Sequence, residues 1–356
     1  MGRLSKEQVI NKLLKYSEQG VVILGPKGRK EKKLRVYAYG GDLGEIALSE
    51  KGKYEVNTDR NYALNHIVDD EDSKTQLLQF MDEAEQEGAD VRDRSEILCD
   101  DKYIECMLKA TKHKGYKNSV YQGQKLKKER LIETTLISQQ GKIGYEEGSL
   151  LVYDIEYAIP LPNKKIINKK GKEVKKISKP DFMVFDGKNI GIVELKYDAD
   201  NMTGYNSLKN HFDDFMHYIH KEDDKYRWSI IEEIIHRLTC LKEGGLVDVS
   251  WHKAIDELAM WYDDNKLGKF LTDRLWIGFY FVKGPHNKRK HKDVKMYVED
   301  EIHVQLGEVM RKARYEDNHN TKVFYGYCQD DENIKLILDK EIIVDKEGNI
   351  DLKDVQ

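Results

Sequence analysis

Three charged residues lie close together in the chain at positions where they could carry out chemistry. Asp181 opens the apolar run DFMVF (181–185), and Glu194 and Lys196 lie within a second apolar run, IGIVELKY (190–197). The DGKN sequence between the two runs predicts a tight hairpin turn with glycine and lysine at its tip.

This turn sets the register of the two predicted strands. Counting outward from it places Asp181 directly opposite Glu194, with Cβ atoms about 4.5–5.5 Å apart. Lys196 lies two residues beyond Glu194 and therefore shares its face. Two facing carboxylates repel each other unless a cation lies between them. The pattern therefore predicts a divalent metal with a lysine beside it.

The helix predicted over Lys125–Ser138 carries two acids on its apolar face. On a helical wheel Glu129 and Glu133 fall among the apolar residues Ile132, Leu136 and Ile137. Solvated glutamates would lie on the opposite side. We therefore expect one of the two acids to contribute to a shared cation site, and the wheel leaves open which one.

These features resemble the PD-(D/E)xK nuclease superfamily. Its members share a helix with a Glu, a first strand, a hairpin that bears Asp and then Glu-x-Lys, and a following helix. The matching features here are Glu129 or Glu133, the strand at 151–162, Pro180-Asp181, Glu194-Leu195-Lys196 and the helix at 206–219. The resemblance covers about 125–285. The helix at 206–219 departs from it, because it lacks the Gln-x-x-x-Tyr of a large subset of the superfamily.

The resemblance implies a nuclease, a hydrolase of phosphodiester bonds that depends on Mg²⁺ or Mn²⁺, with DNA as the favoured substrate and RNA as an alternative. Asp181, Glu194 and the Leu195 carbonyl would hold the metal, since hard oxygen ligands suit these ions. Glu129 or Glu133 would lie in its first or second coordination shell. Lys196 would position the attacking water or neutralise charge on the phosphate.

A strongly basic segment precedes the hairpin. Residues 161–179 contain eight lysines and one acid, a local net charge of +7. Four of these lysines are predicted to contact the phosphates of a nucleic acid: Lys169, Lys170, Lys175 and Lys176. The alternative is a solvated hairpin tip without a ligand.

Other interpretations compete with the nuclease. Asp181, Glu194 and Lys196 could form ordinary salt bridges on a surface hairpin, or an inactive nuclease fold could serve as a nucleic-acid-binding or assembly protein. His211, His217 and His220 lie on one predicted helix, but they lack a further ligand at zinc spacing. We therefore expect ordinary histidines there, with a secondary role for His211 near the site.

The order of the elements predicts the fold class. A helix, a strand, a hairpin, further helices and another strand favour an α/β fold with a mixed central β-sheet flanked by helices, here restriction-endonuclease-like. A polar stretch without periodicity at 113–124 suggests a domain boundary. We therefore expect an N-terminal α+β accessory domain over 1–120, of unknown role, and the nuclease-like domain over 121–356.

Composition adds broad limits. The chain has 356 residues, 39% of them hydrophobic and 35% charged, with 60 basic against 64 acidic residues. The net charge of -4 indicates no partner, so a nucleic-acid interpretation must rest on local patches. The four cysteines form no C-x-x-C pair, and no apolar run is long enough for a membrane span. We expect a cytoplasmic protein that does not contact membranes, and a homodimer is left open.

Overall fold

The computed structural model describes most of the chain in two compact units. The described residues are 3–26, 31–39, 41–57, 60, 71–86, 92–117, 128–139, 144–146, 148–155, 158–167, 171–197, 202, 207–265, 274–283, 294–329 and 334–355. The first unit comprises Met1–Ile143 with Glu233–His252, and the second comprises Gly144–Glu232 with Lys253–Gln356. We expected a boundary near residue 120, and the change of unit lies at 143/144.

The first unit contains a four-stranded antiparallel sheet and helices. Its sheet has the order β1-β2-β3-β4. The elements are α1 (Lys6–Leu14), β1 (Val21–Leu24), β2 (Lys33–Ala38), β3 (Gly41–Ala47), β4 (Glu55–Val56), α2 (Glu71–Glu85), α3 (Arg94–Leu98), α4 (Asp101–Lys117) and α5 (Lys128–Ser138). Ser5 caps α1, because its side chain accepts a hydrogen bond from the Gln8 N–H and the Gln8 side chain accepts one from the Ser5 N–H.

Helix α5, which carries the two glutamates singled out above, belongs to this first unit. It contacts strand β1, and its apolar residues Ile132, Leu136 and Ile137 are buried. Glu133 is also buried, with 3% of its surface exposed. The helical-wheel prediction that Glu133 lies on the packed face is therefore confirmed.

The second unit is built on a mixed seven-stranded sheet. The strands of this unit are β5 (Leu151–Ile155), β6 (Ile159–Ile167), β7 (Glu173–Ser178), β8 (Phe182–Phe185), β9 (Ile190–Tyr197), β10 (Leu275–Val282), β11 (Lys322–Cys328), β12 (Lys340–Val344) and β13 (Ile350–Asp354). The large sheet has the order β13-β12-β11-β10-β9-β8-β5, in which β9, β10 and β11 are parallel and the other pairs antiparallel. All eight residues of β10 are buried, which explains its uninterrupted apolar sequence.

Helices make the crossovers that parallel strands require. Helices α6 (Leu208–His220), α7 (Asp224–Glu243) and α8 (His252–Asn265) lie between β9 and β10 in the chain, and α9 (Val294–Arg311) lies between β10 and β11. Helix α6 contacts α9 and β10. The predicted class, a mixed α/β sheet with helices, is confirmed at this level.

One sequence prediction is wrong. We expected a single strand over 151–162, but this stretch contributes to two sheets: β5 joins the edge of the large sheet, and β6 pairs with β7 in a separate two-stranded sheet. Pro160 and Pro162 explain the change, because proline has no N–H to donate to an interior ladder. The basic segment thus contributes to the β6–β7 hairpin.

Candidate active site

The β8–β9 hairpin has the predicted register. Phe185 pairs with Ile190 and Phe182 pairs with Val193, so Asp181, one residue before β8, comes opposite Glu194. The turn forms because Gly187 adopts a φ of 91°, which a residue with a Cβ rarely takes.

The carboxylate of Asp181 folds onto strand β9. Its Oδ2 accepts a hydrogen bond from the Leu195 N–H at 2.7 Å. Asp181 is half-buried, whereas the neighbouring Glu194 is buried within the sheet. The register therefore brings two acids, one just before β8 and one on β9, beside the backbone of Leu195.

Glu194 and Lys196 form a buried ion pair. Lys196 Nζ lies 2.6 Å from Glu194 Oε1, and their side chains are only 5% and 6% exposed. Both residues are on β9, which is paired with β8 on one side and β10 on the other. A buried charge that loses its partner is strongly destabilising, so each of the two charges stabilises the other.

His211 on helix α6 completes this cluster. Its Nε2 lies 3.0 Å from Glu194 Oε1 and 3.4 Å from Lys196 Nζ. Burial, reinforced by the positive charge of Lys196, lowers the pKa of His211 to about 3, so the imidazole is neutral at pH 7. The Nε2–H tautomer donates to Glu194, and the other tautomer accepts from Lys196. The contact with Glu194 is the shorter one, which favours the Nε2–H tautomer.

The sequence analysis missed a second buried acid, which lies on helix α6. Asp214 is 5% exposed, and its Oδ1 accepts hydrogen bonds from Lys164 Nζ at 2.6 Å and from Lys176 Nζ at 2.7 Å. It thereby ties both strands of the basic β6–β7 hairpin to the helix that carries His211. The available signal was helical spacing, because His211, Asp214 and Tyr218 recur at i, i+3 and i+7 beside the apolar stripe.

The remaining predicted residues are distributed as follows. Lys176 is engaged by Asp214, whereas Lys175 on the same strand is exposed. Lys169 and Lys170 lie outside the described residues, as does the side chain of Glu129. Glu133 belongs to the first unit, whereas Asp181, Glu194, Leu195 and Lys196 belong to the second.

The donor set of this cluster suits a small hard cation. Among the residues that the structure describes, no group of three or more His, Cys, Asp or Glu side chains could hold a metal ion. Mg²⁺, however, commonly uses only one or two protein carboxylates and completes its shell with water and substrate phosphate. Asp181, Glu194 and the Leu195 carbonyl match that lower requirement in number and chemistry.

Comparison with known proteins adds no family to this geometry. No protein-family model, curated protein or solved structure matches the chain. Within the described part of the chain, no helix combines the length and apolar character needed to cross a membrane. The functional argument therefore rests on the cluster itself.

Proposed function

We propose that the protein is a metal-dependent nuclease that hydrolyses phosphodiester bonds, with DNA as the favoured substrate, and that its second unit has a restriction-endonuclease-like core. The proposal is supported above all by the β8–β9 register, which sets Asp181 opposite Glu194 with Lys196 on the same strand. A surface hairpin with ordinary salt bridges would not bury Glu194 and Lys196.

Each residue of the cluster has a role in this proposal. Asp181, Glu194 and the Leu195 carbonyl would hold Mg²⁺ or Mn²⁺. When bound, the metal supplies a Lewis acid for the phosphoryl oxygens and lowers the pKa of a water ligand. Lys196 places a positive charge where negative charge develops on the phosphate. His211, neutral at pH 7, orients Glu194 by hydrogen bonding.

A nucleic-acid-binding protein without cleavage activity is the alternative. It is favoured by one observation: Glu194 Oε1 is already satisfied by Lys196 and His211, so the carboxylate is neutralised without a metal. In an enzyme, metal and substrate must compete with this arrangement. In a binding protein, the same contacts would serve stability alone.

The deciding experiment incubates the full chain with labelled single- and double-stranded DNA and RNA, each with Mg²⁺, Mn²⁺ or EDTA. We expect metal-stimulated cleavage that EDTA abolishes. Asp181→Asn and Glu194→Gln should each lower the rate by about a hundredfold or more, because each removes a carboxylate that would hold the metal. Asp351→Asn, which changes an exposed carboxylate of the same unit, should cut like the wild type.

The outcomes separate the two functions. Cleavage of RNA alone would make the protein a ribonuclease. Binding of nucleic acid without metal-stimulated cleavage would support the non-catalytic alternative. Cleavage that survives both Asp181→Asn and Glu194→Gln would refute this site.

A further inference from the structure

A cavity of about 690 Å³ lies at the other end of the large sheet from the carboxylates. Its wall is formed by the β8–β9 turn, the end of α6, Trp261 of α8 and the segments that lead into β10 and β11. The turn precedes Ile190, whereas Lys196 lies six residues further along β9, a separation of about 20 Å for an extended strand. The cavity is therefore distinct from the candidate active site.

The cavity is positively charged. Lys188, Arg274 and Lys322 line it, and none of the other described lining residues is an acid. Within the described part of the chain, none of these three cations has an ion-pair partner. Lys188 and Lys322 are exposed, and Arg274 is half-buried. An anion bound in the cavity would therefore meet three positive charges.

Arg274 is held in place before any ligand arrives. Its guanidinium carbon lies 4.8 Å from the centre of the Trp261 ring, and its Nη1 donates to the Lys188 carbonyl at 3.1 Å. A guanidinium has five N–H donors and matches the geometry of phosphate oxygens. Pre-ordering of this side chain reduces the entropy lost on binding.

The rest of the wall is polar and aromatic without added charge. His220 and His319 stack with ring centres 3.6 Å apart, and His220 Nε2 lies 2.7 Å from Thr321 Oγ1. Burial lowers the pKa of both histidines, so at pH 7 they are neutral rings. Asn320 adds a side-chain amide that can donate hydrogen bonds, and the amide of Asn189, which donates to Asp186 Oδ2 at 3.2 Å, has a second N–H.

We propose that this cavity binds the phosphate of a nucleotide-sized ligand, with Arg274, Lys188 and Lys322 as the phosphate-binding residues. The volume is much larger than a single phosphate requires and falls within the range of small-molecule sites. Neutral aromatic side chains beside the cations suit the flat base of a nucleotide. The phosphate can come from a free nucleotide or from a nucleic-acid strand, and the chemistry of the pocket is the same for both.

The test is calorimetric titration of the full chain with ATP, AMP, inorganic phosphate and a 5′-phosphorylated thymidine oligonucleotide, with tryptophan fluorescence as a second signal. We expect ATP or the oligonucleotide to bind more tightly than inorganic phosphate. Arg274→Gln and Lys322→Gln should each weaken that binding about tenfold or more, as expected for loss of a charge-assisted hydrogen bond. Lys346→Gln, an exposed lysine outside the cavity, is the matched control and should bind normally.

Two results distinguish the sources of the phosphate: tighter binding of the oligonucleotide indicates a strand, and tighter binding of ATP indicates a free nucleotide. The proposal is overturned if no probe binds, or if Arg274→Gln and Lys322→Gln bind like the control. Glu194→Gln should keep this binding. Failure of the nuclease proposal would therefore leave the cavity proposal standing, and failure of the cavity proposal would leave the nuclease proposal standing.

Discussion

At the scale of single residues, one carboxylate oxygen of Glu194 contacts two side chains. Its Oε1 contacts both Lys196 Nζ and His211 Nε2. A metal at this carboxylate would therefore have to share it with an ammonium group. Metal affinity and the strength of the Glu194–Lys196 pair should consequently oppose each other.

Mn²⁺ binding tests this competition. Asp181→Ala and Glu194→Ala should abolish both the heat of Mn²⁺ binding and the rise in melting temperature that the metal causes, because each removes a ligand. Lys196→Met should lose cleavage but bind Mn²⁺ at least as tightly as the wild type, since a nearby positive charge is gone. Calorimetric titration of the three variants measures these affinities.

Lys196→Met should also destabilise the metal-free protein. It removes the ammonium group that pairs with the buried Glu194 carboxylate, so the free energy of unfolding should fall by about 3–5 kcal/mol. Mn²⁺ should then restore more stability to this variant than it adds to the wild type. If Asp181→Ala and Glu194→Ala both bind Mn²⁺ normally, the metal site lies elsewhere and the proposed function fails with it.

At the scale of elements, the β6–β7 hairpin has lysines in two different environments. Lys176 pairs with the buried Asp214, whereas its sequence neighbour Lys175 is exposed. Adjacent lysines on one strand point to opposite faces, which explains the difference. Of the two, only Lys175 has its charge available to a nucleic acid.

Two matched substitutions test whether Lys175 and Lys176 have these different roles. Lys175→Gln should weaken DNA binding and reduce the slope of log K against log salt by about one, while unfolding free energy changes by less than about 0.5 kcal/mol. Lys176→Gln should instead lower the unfolding free energy by about 1 kcal/mol and leave the salt slope nearly unchanged. Fluorescence anisotropy at several salt concentrations and urea titrations measure both quantities. Equal salt slopes in the two variants would contradict the assignment.

The same elements show what could be predicted from sequence. The facing acids Asp181 and Glu194 are 13 residues apart in one hairpin, so an apolar pattern and a Gly turn were sufficient to set their register. Asp214 and its lysines are separated by 38 and 50 residues, and only the docking of β6–β7 on α6 brings them together. The cationic cavity likewise draws its wall from segments far apart in the chain, which no local pattern reveals.

At the scale of the whole molecule, two half-buried histidines should make the fold sensitive to acid. Burial lowers the pKa of His211 and of His220 to about 3, well below the ordinary value of 6.5. Between these two values the unfolded chain binds more protons than the folded one, so stability falls as pH falls from about 6.5. Each histidine contributes up to about 1.4 kcal/mol per pH unit in this window.

His211→Gln removes one of these contributions. Its unfolding free energy should therefore decrease less between pH 7 and pH 5 than that of the wild type, as measured by urea titrations at pH 7, 6 and 5. His303→Gln, a change at an exposed histidine of the same unit, serves as the control and should follow the wild-type slope. A slope for His211→Gln equal to that of the control would mean that His211 does not stay neutral in the folded protein.

Residues 233–252 pack with the first unit although they lie between β9 and β10 of the second. On the ribosome, the N-terminal 143 residues therefore emerge long before this segment of their own core. Strands β5, β8 and β9 leave the exit tunnel in the interval, and β10 follows only after the segment is complete. The first unit is incomplete until residues 233–252 have been synthesised, so a polypeptide released before about residue 252 should be a substrate for chaperones rather than a folded N-terminal domain.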